Sequence, residues 1–233
     1  MLKQTWSFLF ILVLFAAGMG SLFWQQVEPL TEAYAREESD DDFGKLIVPD
    51  WLADDLRERF PEPARSMVRK ELITAVQINM APKTPETNPE PEIAAYISLD
   101  RLNGVFVLYA KQNGAYQPVY TKMEPVYGLQ VIGKGEFLVL TSGFGGTGIQ
   151  DNKLYVIHWT PQGYAEAWSG VAHSHRAQET VDLVDGNVQF DLSNNQMVYF
   201  RLERTLDATG VTLMERSSYE LLRYSEETMR FEK

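Results

Sequence analysis

From Ile93 onward, apolar and polar residues alternate in short runs separated by turn-forming clusters, and that period of two points to sheets rather than helices. Val188, Phe190 and Leu192, then Val198, Phe200 and Leu202, put every second side chain on one face. One buried and one wetted face per strand is the pattern of antiparallel sheets. The spacing predicts strands at Ile93–Leu99, Gly104–Ala110, Tyr116–Lys122, Val126–Ile132, Glu136–Ser142, Lys153–Trp159 and Tyr164–Ser169. It predicts more at Val188–Leu192, Met197–Glu203, Val211–Glu215, Tyr219–Arg223 and Met229–Glu232. Asn113-Gly114, Gly133-Lys134-Gly135, Pro161-Gln162-Gly163, Asp185-Gly186-Asn187 and Ser193-Asn194-Asn195 supply turn chemistry between them. No helical stretch alternates with these strands, which disfavours a doubly wound α/β fold.

Ala81–Glu92 reads APKTPETNPEPE, four prolines in twelve residues, and marks a linker ahead of an antiparallel β domain spanning 93–233. Residues 50–80 read as a helical pair. In the first helix Trp51 or Leu52, Leu56 and Phe60 form an apolar stripe, with Asp50 as its cap. The second runs from about Glu62 toward Val76, opened by Pro63 and showing Met67, Leu72 and Val76 on one side. The fold class expected is therefore mainly β: an antiparallel β-sandwich or small propeller-like domain with a short N-terminal helical pair, after an N-terminal transmembrane or signal helix.

That last expectation rests on Phe8–Trp24, FLFILVLFAAGMGSLFW, which carries no charge. As a helix, with its flanks, such a run reaches about the thickness of a bilayer's hydrocarbon layer. Lys3 precedes it and Glu28 and Glu32 follow, so residues 1–25 read as a signal-anchor with the remainder outside the cytoplasm. Cleavage as a signal peptide, giving a secreted product, is the alternative. Residues 26–49 contain REESDDDFG, an acidic spacer. The partners this implies are the lipid bilayer through residues 8–24, with envelope proteins or glycans beside it.

Absence of cysteine excludes disulfides, thiolate zinc sites and a cysteine nucleophile. With 21 Lys and Arg against 32 Asp and Glu, the net charge of −11 argues against a nucleic-acid partner.

Two clusters offer chemistry. Thr141-Ser142-Gly143-Phe144-Gly145-Gly146-Thr147-Gly148 is glycine-rich, and such backbones can turn amides toward a ligand. Ser142, Gly143, Gly145, Gly146 and Thr147 are thus candidate ligand contacts. Ile149-Gln150 stands where a P-loop needs Lys-Ser or Lys-Thr, and a strand follows where a dinucleotide loop needs a helix, so no cofactor is expected. The three histidines form the second cluster. His173 and His175 share a face on an extended strand, and with His158 from a neighbouring strand they would offer three nitrogens to a metal, Glu166 or Glu179 adding a carboxylate. Ser174 and its histidine neighbours point to opposite faces, against nucleophile–base geometry. Tyr155, Trp159, Tyr164 and Trp168 make either core or a stacking surface. The function expected is a non-catalytic binding or structural module tethered at the membrane, with a metal-assisted hydrolase built on His158, His173 and His175 as the alternative.

Overall fold

The computed structural model describes residues 46–82, 90–133 and 135–233. One α-helix opens it, α1 (Asp50–Glu58), and twelve strands follow in two sheets, both of them simple antiparallel meanders. The small sheet runs β1 (Thr74–Ile78), β2 (Glu92–Ser98), β3 (Gly104–Gln112) and β4 (Ala115–Lys122) in that order. The large sheet continues with β5 (Val126–Ile132), β6 (Phe137–Gly146), β7 (Ile149–Thr160), β8 (Gly163–Ala177), β9 (Val181–Asp191), β10 (Gln196–Leu206), β11 (Thr212–Ser225) and β12 (Arg230–Glu232), again neighbour to neighbour. Every connection within a sheet joins adjacent antiparallel strands, as tight turns demand. Between β3 and β4, Asn113 and Gly114 both take positive φ (52° and 84°), the two-residue turn whose twist matches the strands it joins.

α1 lays Leu52, Ala53 and Leu56 on the small sheet, where they meet Ala75, Ile93, Ala95, Ile97, Val105, Val107 and Tyr109. The intervening residues Ala94, Phe106 and Leu108 are buried too, so the small sheet is covered on both faces. Its second face meets the large sheet: β4 reaches β8 through Tyr120 and Lys122, and Ser98 on β2 bonds the backbone of Val126 on β5. Beyond that layer the large sheet curls over its own core of Val139, Leu154, Val156, Ala167, Met197, Tyr199, Leu222 and Phe231. Phe137, Phe190, Tyr224 and Phe231 interlock there with ring centroids 5.2–5.9 Å apart. The described residues form one compact unit, helix on sheet on curled sheet.

Several expectations are corrected. In place of a helical pair there is a single short helix, because the stretch after Pro63 makes only 3-10 turns at Ala64–Met67 and Lys70–Leu72 before β1 begins. Met67 and Leu72, expected to be buried along that second helix, are about half exposed (48% and 51%). The β-branched Ile73, Thr74 and Val76 suit a pleated strand, and pairing Thr74–Ile78 with β2 satisfies a backbone that an isolated short helix would leave open. The architecture is two antiparallel sheets of four and eight strands rather than a repeat of small propeller-like blades. Among the described residues no helix is long and apolar enough to cross a membrane. Residues 8–24, on which the transmembrane or signal expectation rests, lie outside the described residues. The bilayer, envelope-protein and glycan partners, the membrane tether and the location outside the cytoplasm are therefore set aside in favour of what the structure carries, a β-rich domain.

Candidate functional site

The three histidines do not meet. His173 pairs with Asn152 across β7–β8, and His158 stands six residues further along β7, about 20 Å away at the rise of an extended strand. His158 is buried at 4% exposure, stacked on Phe137 at 5.9 Å, with Nδ1 3.1 Å from the Tyr224 hydroxyl. Its Nε2 finds no partner among the described residues. Burial holds the imidazole below its ordinary pKa, the nearby Met229 backbone working the other way. His173 instead places Nδ1 2.8 Å from Asp185 Oδ1, and Arg204 donates to Asp185 Oδ2 at 2.9 Å. Burial raises the Asp185 pKa, but the bonds from His173 and Arg204 outweigh it and hold the carboxyl below the usual range. His175 lies opposite Gln150 and Leu183. Among the described residues no group of three or more His, Asp or Glu side chains is placed to hold a metal, so the metal-assisted hydrolase is overturned along with its site. Ser174 donates to Asp151 at 2.6 Å.

The glycine-rich segment is strand rather than open loop. Ser142, Gly143, Gly145 and Gly146 belong to β6, and Thr147-Gly148 is the two-residue turn into β7. A Cβ on Gly143 would stand 2.1 Å from the Asp151 carbonyl oxygen, so the glycine is required by the close approach of β7. The Gly143 amide donates to Pro125 O (3.1 Å) and the Gly145 amide to Arg101 O (2.9 Å), which commits these donors to the chain itself. Ser142 is fully buried and donates to Glu124 at 2.9 Å.

A polar seam between the sheets escaped the sequence reading. Tyr120 (2.6 Å) and the Lys122 ammonium (2.8 Å) both donate to Glu166 Oε1, while Lys122 Nζ sits 3.5 Å over the Tyr155 ring. Burial opposes the charges on Lys122 and Glu166, yet their mutual bond prevails, raising the lysine pKa and lowering that of the carboxyl. A lysine held protonated is a poor base or nucleophile, and the seam reads as an ion pair joining β4 to β8. Glu92, buried at 2%, accepts from the amides of Met80 and Ala81 (both 3.0 Å) and from the Tyr164 hydroxyl. Glu166 in Ala165-Glu166-Ala167, a lone carboxylate amid apolar neighbours, was the available signal. Trp159 and Tyr164 line an open cleft of about 560 Å³ with Lys111 and Pro118, where Lys111 is tied to Glu90 at 2.5 Å. Tyr155 is core, and Trp168 packs on Tyr199 at 4.8 Å.

The least satisfied surface lies at the far edge of the large sheet. β12 pairs only with Arg223–Ser225 of β11, and among the described residues no strand lies on the outer side of Thr212–Leu222. On the sheet face away from Met197 and Leu222, Phe200 stands opposite Tyr219 and Val198 opposite Leu221. Tyr219 is 74% exposed, Leu213 60%, and Phe200 and Leu221 46% each. Edges of this kind are ordinarily blunted by lysine, proline or a bulge. Thr212–Leu222 contains neither residue, though its register with β10 shifts at Leu213 and Lys233 donates to Glu220 at 3.0 Å near its far end. The arrangement offers a row of backbone donors and acceptors beside an apolar strip. No family model matches the chain, and no match was found among curated proteins or solved structures.

Proposed function

We propose that the domain is a polypeptide-docking module that accepts an extended segment as an added strand along β11. The observation that carries this reading is the outer edge of β11 from Thr212 to Leu221, which no strand among the described residues covers, β12 pairing with Arg223–Ser225 and Lys233 following it beside Leu222. Strand addition draws its affinity from main-chain hydrogen bonds and its selectivity from alternate side chains. Tyr219 and Leu221 project from β11 on one face, with Phe200 beside them on β10, and would contact alternate side chains of the incoming segment. Glu215, Arg216 and Glu220 add charges of both signs along the same edge.

Peptides selected from a displayed library of extended sequences test this. The expected outcome is binding that slows amide exchange within 212–222 and weakens at least about tenfold in a Leu221→Lys variant. Selected peptides that protect the Trp159–Tyr164 cleft instead, or a selection that yields no binder, would overturn it.

A further inference from the structure

Three turns meet at one end of the large sheet: those joining β5 to β6, β9 to β10 and β11 to β12. Between them lies a crevice of about 220 Å³. Its walls are aromatic. Tyr224 and Phe231 are direct partners across β11–β12, and Phe137 comes from β6, the three ring centroids standing 5.2–5.8 Å apart. Its rim is acidic, with Glu136 from the first turn and Glu226 from the third, both exposed. Among the described residues no lysine or arginine lines it. We infer that this crevice binds a methylated ammonium group, the headgroup shared by choline and trimethyllysine.

The chemistry of the lining selects that class. Two carboxylates without a cation repel an anion. Among the described residues no third acidic or histidine ligand joins them, as a metal ion would require. A methylated ammonium is weakly hydrated, offers methyl groups to the rings and is drawn to their faces by its charge. The volume suits such a headgroup, lying below the roughly 300–1,000 Å³ of sites for drug-sized ligands. In the larger cleft beside Trp159 and Tyr164, Lys111 already supplies a cation to Glu90, so that charge is met from within. The walls are also fixed in advance, which spares the cost of ordering them on binding. The Tyr224 hydroxyl lies 3.1 Å from His158 Nδ1 and 3.3 Å from Met229 Sδ, and the Tyr224 amide donates to Asn195 O at 2.8 Å. Phe137 is held from behind by His158 and Phe190. On the rim, a Cβ at Gly133 would stand 2.7 Å from both Glu136 Oε2 and Leu192 Cδ1, so glycine there lets the carboxylate and the leucine close in.

Titration of the full chain with choline, followed by ligand-observed NMR, is expected to saturate with a Kd of about 1 mM or tighter. The neutral alcohol 3,3-dimethylbutan-1-ol has choline's shape with carbon in place of the charged nitrogen, and is expected to bind at least about tenfold more weakly. Glu226→Gln, at an exposed position, is expected to weaken choline at least about threefold. Glu179→Gln removes the same charge at the opposite end of β9 and is expected to leave the Kd within about twofold of the native value. A short peptide bearing trimethyllysine presents the same headgroup, and the tighter binder of the two names its source. No saturation up to about 10 mM choline, equal binding of the neutral alcohol, or the same Kd in Glu226→Gln as in Glu179→Gln overturns the assignment. Such a failure leaves the strand-addition reading standing, because Tyr224 lies where β12 already covers β11.

Discussion

His158 shows how a residue that reads as a ligand becomes a core side chain. Its neighbours in the fold are Phe137 and Tyr224, supplied by β6 and β11, and nothing in the local sequence announces them. Burial lowers its pKa, so the unfolded chain takes up a proton near the ordinary value of about 6.5 while the folded ring stays neutral. The neutral ring's contribution is therefore complete above about pH 6.5 and is lost as pH falls through that value toward the folded pKa. Denaturant midpoints measured between about pH 7.5 and about pH 5.5 are expected to fall further for the native chain than for His158→Phe, the difference cancelling groups common to both. Equal slopes would show that His158 is protonated as readily folded as unfolded. The polar residues that matter most to assembly were hidden in another way. Glu92 closes the proline-rich stretch and Glu166 lies mid-strand, and each gains its meaning only from a tyrosine or lysine brought in from the other sheet.

At the level of elements, most strand boundaries were legible because turns announce themselves, but Asp185-Gly186-Asn187, expected as a turn, lies within β9 and pairs with Leu202, Arg201 and Phe200. Asn113-Gly114 needs positive φ at both positions, and few other pairs supply it. What the pattern could not supply was length. β8 runs fifteen residues, through His173 and His175, because a bulged register with β7 and the pairing of His173–Ala177 with β9 carry it past the end of the clean alternation. Val211–Glu215 and Tyr219–Arg223 merge into the single β11, since Arg216, Ser217 and Ser218 are polar on both faces yet remain paired with β10. β1 was concealed by a coincidence of period, Leu72 and Val76 standing four apart as on a helix. The glycines of β6 carry a sharper consequence. Gly143→Ala would drive a methyl into the Asp151 carbonyl and the Asn152 Cα, both backbone atoms of the paired strand, and is expected to cost about 1–3 kcal/mol. Gly146→Ala meets no atom within 4 Å and is expected to stay within about 0.5 kcal/mol of the native chain. Chemical denaturation of the two variants makes the comparison, and equal effects would contradict the close approach of β6 and β7.

The whole molecule divides its labour between two ends. Near α1 the small sheet is sealed on both faces, and the Tyr120–Lys122–Glu166 seam fixes it to the large sheet. Toward the far edge the large sheet outruns its cover: Val211 through Tyr219 are exposed without interruption, though twelve- to fifteen-residue strands surround the core. This asymmetry was not readable from alternation, because a period of two says which face is apolar and not whether anything packs on it. Phe200, Tyr219 and Leu221 share the pattern of core residues and lie in solvent. The central claim is that this edge is open in a single chain and closes by receiving a strand. Residue-resolved amide exchange on the dilute protein tests it directly. Amides of Thr212–Leu221 that point away from β10 should exchange freely in the free chain while those of β10 stay protected, and adding a selected peptide should slow the former alone. Uniform protection along β11 in the free chain would contradict the account, since it would mean that the chain already covers its own edge.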